Sequence, residues 1–164
     1  MKFTKRTYLA QVITYGIFLF LLSSIILFTA GLFAFIKLGT INNEKALDYA
    51  ILLVLMIIAS AIALGFIVLT LFQFITSIKL YKASKISATH FMTKQKSRKV
   101  NTIFGILTII AGIIVSLLVQ PLLLSIIVSL IPISTTFFLI LNRIAMKKIK
   151  LEISNETKPT PSSF

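Results

Sequence analysis

The chain has 164 residues, 57% of them hydrophobic and 13% charged, and its 17 Lys and Arg outweigh 4 Asp and Glu. A water-soluble domain of this length needs a polar exterior that such a composition does not supply, so a membrane protein is expected. With no Cys, a disulfide framework, a thiolate metal site and thiol redox chemistry are excluded.

Lys2, Lys5 and Arg6 precede the first apolar run, residues 8–36. A helix needs ~20 apolar residues to cross a bilayer, and this run exceeds that. It also exceeds the apolar core of a cleaved signal peptide, about 7–15 residues, and no small-residue cleavage pattern follows it, so it reads as a retained membrane helix. A connection holding Lys37, Lys45, Glu44 and Asp48, with no net charge, leads to the second run, residues 49–78. At ~1.5 Å per residue these two runs reach roughly 43–45 Å as helices, well past a ~30 Å hydrocarbon core, so they tilt or protrude. Gln11 and Thr14 in the first run, and Gln73, Thr76 and Ser77 in the second, lie towards the basic segments and favour protrusion at that end. Antiparallel pairing sets Gln11 against Gln73, Thr14 against Thr70 and Ser24 against Ser60, and a Gln11–Gln73 hydrogen bond is expected. Ala61 and Gly65 form a small-x-x-x-small site for this pair or for a second copy. Tyr8, Tyr49 and Tyr81 fall at run ends, where a ring with a polar tip suits the headgroup level.

Residues 79–99 carry Lys79, Lys82, Lys85, Lys94, Lys96, Arg98 and Lys99 with no acid, and Tyr81, Ile86, Phe91 and Met92 are interspersed. The segment reads as a basic cytoplasmic loop whose cations set topology and contact anionic lipid headgroups or an acidic partner. It is short and tied to the membrane at both ends, so a nucleic-acid partner is not expected. His90 is the only His and has no carboxylate beside it with which to build a metal site, so it reads as a solvated loop residue.

The third and fourth runs, residues 100–119 and 121–141, are joined at Gln120-Pro121 and must fold back as a tight hairpin. Gly105, Thr108, Gly112 and Ser116 share one face of the third helix, and Ser125, Ser129, Pro132 and Thr136 share one face of the fourth. Pairing 116 with 125, 112 with 129, 108 with 132 and 105 with 136 matches the two small faces depth for depth. Small faces matter because lipid tails are as apolar as Leu, so membrane helices associate by close packing and hydrogen bonding rather than by burial from water. Pro132 frees the carbonyl of Val128, which Ser129 is placed to help satisfy. The expected result is a static bend, with a hinge as the alternative. The tail holds Arg143, Lys147, Lys148, Lys150 and Lys158 against Glu152 and Glu156, and residues 152–164 are expected to be disordered.

The expected fold is all-α: one four-helix transmembrane domain built as two antiparallel hairpins. The three basic segments hold 15 cations and 2 acids, whereas the first connection is neutral, so both termini are expected in the cytoplasm. The excess of Lys (14) over Arg (3), with abundant Ile and Phe, fits an AT-rich bacterial genome and hence the cell membrane of a low-GC Gram-positive organism. No apolar run contains Asp, Glu, Lys, Arg or His, so a proton relay and a general base for the buried serines are not expected. The glycines are dispersed and form no phosphate loop, and no cofactor is expected. The leading functional reading is a non-catalytic helper, either an immunity protein against a secreted toxin or an accessory subunit of an export system. Its partners would be lipid and another membrane protein or a second copy. The alternative is a small homo-oligomeric transporter or channel subunit. Reporter fusions after Lys99 and at the C-terminus should read cytoplasmic and one at Asn43 external; a cytoplasmic reading at Asn43 overturns the topology.

Overall fold

The computed structural model of the protein describes residues 1–38, 46–118 and 123–156, with side chains described at 1–34, 49–115 and 129–154. Those residues form five helices: α1 (Lys2–Leu38), α2 (Ala46–Ile86), α3 (Ala88–Thr93), α4 (Gln95–Leu118) and α5 (Leu123–Glu156). Four of them, all but α3, are long and apolar enough to span a membrane. An apolar medium leaves the backbone no partner but itself, which is why long apolar runs become helices.

All four long helices outrun their apolar segments at the basic end. Lys and Arg are good helix formers, and continuing the helix keeps its carbonyls bonded. The segment at 79–99 is therefore not an open loop: α2 continues to Ile86, α3 follows, and α4 begins at Gln95. The tail also departs from expectation at its start, because α5 continues to Glu156, while 157–164 lie outside the described residues. The connections at 39–45 and 119–122 lie outside them as well.

The long helices touch in the order α1, α2, α4, α5, and α5 returns to α1; α3 packs under α2 and α5. Two apolar clusters fill the bundle. One joins Tyr15, Phe18 and Leu22 of α1 with Phe66 of α2 and Ile131 and Phe138 of α5. The other lies at the basic end and joins Tyr8, Leu80, Ala83, Phe91 and Ile149. Tyr8 was expected at the headgroup level, but its ring is buried 5.5 Å from the Phe91 ring. Tyr49 is exposed, and Tyr81 lies under the Lys85 ammonium, 4.6 Å from its ring centre. The Met1 ammonium pairs with Glu152 at 2.8 Å, and Lys148 sits over the Phe3 ring, so α1 and α5 are tied beyond the apolar runs.

The small faces of α4 and α5 meet in a register shifted by three residues, which is close to one turn and so keeps the face while changing the depth. Gly112 lies against Pro132 rather than level with Ser129, and Gly105 lies against Leu139 rather than Thr136. Ser129 and Thr136 flank the same groove as Gly112 and Pro132. Thr108 points elsewhere, towards α2, and the side chains of Ser116 and Ser125 lie outside the described residues. Gly65 has open space beside it, on a groove shared with Ala61 and Ala111. The helix α5 runs through Pro132 without interruption, and the Thr136 hydroxyl donates to the Pro132 carbonyl at 2.8 Å.

The two glycines of α4 should respond differently to a methyl group. A Cβ at Gly112 would stand 2.5 Å from Pro132 Cγ and 2.8 Å from its Cβ, against a rigid ring. At Gly105 the obstacle is the flexible end of Leu139, at 3.1 Å. Gly112→Ala should therefore cost about 1–3 kcal/mol through overpacking. Gly105→Ala should be near neutral, since helix propensity returns about 1 kcal/mol. Thermal unfolding in detergent, followed by circular dichroism, checks this; equal midpoints for the two variants would contradict the α4–α5 contact.

Candidate functional site

Between the two apolar clusters lies a layer of polar side chains contributed by all four long helices. Ser77 of α2 donates to Gln11 Oε1 at 3.1 Å, and Gln11 Nε2 donates to Asn142 Oδ1 of α5 at 2.8 Å. Gln73 Nε2 donates to the Thr108 hydroxyl of α4 at 3.2 Å, and Thr76 donates to Asn101 Oδ1 at 3.0 Å. Gln11, Gln73, Ser77 and Thr108 are fully enclosed. Gln11 and Gln73 therefore do not bond each other, contrary to the expectation. The α1–α2 register is displaced by about one turn: Gln11 meets Ser77, and Ser60 meets Thr29 at 3.0 Å. Ser24 bonds the Phe20 carbonyl of its own helix instead. Asn142 takes the second end of Gln11, and it lies one residue past the fourth run.

At the basic end the α2–α4 connection is held by Arg98. Ser87, in extended conformation, caps α3 by accepting from His90 N at 3.0 Å. At the other end of α3, Arg98 donates to the Phe91 carbonyl at 2.8 Å and to the Met92 carbonyl at 3.1 Å, with its guanidinium over the Phe91 ring. A cation at a helix C-terminus satisfies otherwise unpaired carbonyls and complements the dipole. The six lysines of the 79–99 segment (Lys79, Lys82, Lys85, Lys94, Lys96 and Lys99) are exposed, whereas Arg98 is half-buried. The seven cations are thus two sets, six on the surface and one inside the fold.

Arg98 also lines a cavity of about 420 Å³ between α4 and α5, with Tyr8 of α1 in its wall. Its cationic part is Arg98, Arg143 and Lys147, its amides are Asn101 and Asn142, and its apolar wall includes Ile106, Leu139 and Ile140. No carboxylate lines it. Asn101 and Asn142, tied to Thr76 and Gln11 through their side-chain amides, also line the cavity. The lining therefore offers donors and positive charge, a combination that suits an anion.

Reading the sequence singled out the exposed lysines and the α4–α5 small residues, but missed Asn101, Asn142, Arg143 and Lys147 as a group. The available signal was depth: Asn101 and Asn142 stand at the same ends of their runs as Gln11 and Thr76. Comparison with protein-family models, curated proteins and solved structures gives no match for this chain.

The polar layer predicts an unequal response of its two glutamines. Gln11→Leu breaks two interhelical bonds and strands Asn142 and Ser77, which should cost about 1–2 kcal/mol. Gln73 makes one such bond, its Oε1 is buried without a hydrogen-bond partner, and Thr108 retains its bond to the Phe104 carbonyl. Gln73→Leu should cost less than about 0.6 kcal/mol. Denaturation midpoints in mild detergent test this, and a larger loss for Gln73→Leu would contradict the assignment.

Proposed function

We propose that the protein is a non-catalytic, four-pass membrane protein whose two antiparallel hairpins cross the cell membrane with the basic end in the cytoplasm. On this reading it acts through contacts with lipid and with another membrane protein, as an immunity or accessory factor does. The observation that carries the reading is the engagement of most interior polar groups: Gln11, Thr76, Ser77, Thr108 and Asn142 make helix-to-helix hydrogen bonds, Gln73 makes one through Nε2 alone, and the buried Thr70 hydroxyl makes none. Such bonds hold a bundle in one arrangement and leave few polar side chains for moving a solute. The apolar runs also contain no Asp, Glu, Lys, Arg or His, the usual marks of a proton or ion path. The serial contacts of α1 with α2 and of α4 with α5 support the hairpins, and the charge asymmetry supports the orientation.

Liposomes containing the purified protein should show no solute flux coupled to an imposed pH gradient and no hydrolysis of peptide, ester or phosphate substrates. A flux that disappears when the pH gradient is collapsed would overturn the helper reading in favour of a transporter.

A further inference from the structure

We propose that the cavity between α4 and α5 is a binding site for one anionic phospholipid of the cytoplasmic leaflet, with the phosphate at Arg98, Arg143 and Lys147 and the upper acyl chain along Ile106, Leu139 and Ile140. The proposal rests on the bilayer orientation given above and adds a defined site to it.

The argument begins with the order of side chains along the two helices. On α4 the lining passes from Arg98 through Asn101 and Thr102 to Ile106. On α5 it passes from Lys147, Met146 and Arg143 through Asn142 to Ile140 and Leu139, with Thr136, its hydroxyl bonded to the Pro132 carbonyl of its own helix, at the far end. Both helices run from cation through amide to hydrocarbon in the same direction, away from the basic end. At ~1.5 Å per residue the gradient extends over roughly 12 Å on α4. A phospholipid has the same sequence of chemistry over a similar distance: phosphodiester, glycerol esters, methylenes. A free phosphate would use only the first part.

Charge complementarity selects the headgroup. Three cations and no carboxylate line the cavity. The nearby Glu152 is engaged by the Met1 ammonium. Arg98 is immobilised by its two carbonyl bonds, so its charge is fixed at the cavity wall, while Arg143 and Lys147 are exposed and one turn apart on α5. A zwitterionic headgroup would bring its own cation into this cluster, so a net-negative headgroup such as phosphatidylglycerol is preferred. The interior hydrogen bonds supply the rest. Asn101 and Asn142, each held by an interior partner, place two side-chain amides in the lining at the ester level.

The test uses the absence of Trp from the chain. Ile140→Trp places a fluorophore in the cavity wall, and Ile58→Trp places one on an exposed face of α2 as a reference; both parent side chains are about half exposed. The full chain is reconstituted in phosphatidylcholine vesicles containing small fractions of acyl-brominated phosphatidylglycerol or acyl-brominated phosphatidylcholine. The Trp at 140 should be quenched by the anionic lipid at about tenfold lower mole fraction than by the zwitterionic one, and the Trp at 58 should respond to both alike. Arg143→Gln combined with Lys147→Gln should lower that preference about tenfold, equivalent to about 1.4 kcal/mol. Both side chains are exposed, so folding should survive, and an unchanged unfolding midpoint confirms it. Millimolar inorganic phosphate or glycerol phosphate should not relieve the quenching. Equal quenching at 140 by both lipids, or a preference untouched by the double substitution, overturns the site; relief by soluble phosphate makes it a phosphate site and also overturns it. Loss of quenching at both Trp positions would instead strike at the membrane reading itself.

Discussion

A carboxamide enclosed among apolar helices needs both a donor and an acceptor, since leaving either unmade costs about 1–3 kcal/mol. Gln11 finds its two partners on two different helices, Ser77 of α2 and Asn142 of α5. That requirement fixes the rotation and depth of three helices at once. Close packing of methyl and methylene groups is permissive, because a slide of one turn replaces one apolar contact with another of similar worth. The amide is not permissive, because such a slide would leave it unpaired. Thr76 with Asn101, and Gln73 with Thr108 through its Nε2 alone, tie α4 to α2 less strictly. The apolar clusters above and below then fill with whatever fits the positions so defined.

The basic end is where the chain departs furthest from a simple set of crossings. Phe91, carried by the short α3, is fully buried against Tyr8, and Arg98 clamps the carbonyls at the end of α3. Three cation–ring contacts, Lys85 over Tyr81, Arg98 over Phe91 and Lys148 over Phe3, place positive charge above aromatic faces. The cations of this region thus have separate employments: the exposed lysines form a charged surface, and Arg98 holds a structural position that also borders a cavity.

The sequence made the helices legible because uninterrupted apolar runs have few alternatives to helix. It also made legible which faces of α4 and α5 are small, because a 3.6-residue period is read directly from spacing. Register was not legible to better than a turn. Gly112 meets Pro132 instead of Ser129, and Gln11 meets Ser77 instead of Gln73, because a slide of about one turn keeps the same faces together and so leaves the spacing pattern unchanged. Asn101 and Asn142 escaped notice for a different reason: polar residues at run ends look like boundary markers, although these two stand at the same ends of their runs as Gln11 and Thr76. The same holds for Arg98, indistinguishable from its neighbouring lysines by charge and separated from them only by the turn after α3.

The overhang of the helices beyond their apolar runs gives the protein two cores in two solvents. In the bilayer orientation proposed above, the cluster around Tyr15, Phe66 and Phe138 is surrounded by lipid and is held by dispersion and hydrogen bonds. The cluster around Leu80, Phe91 and Ile149 sits at the water boundary, where apolar burial itself is favourable. The two should age differently under stress. Urea acts on surface that water can reach, and cooling weakens burial from water while leaving dispersion largely intact. Chaotropes and low temperature would therefore loosen the collar formed by α3 and the helix ends first, and the membrane half would outlast it. The collar carries the N-terminal turn, α3 and the cationic surface. Its partial melting would change what the cytoplasm meets without altering how the chain crosses the membrane.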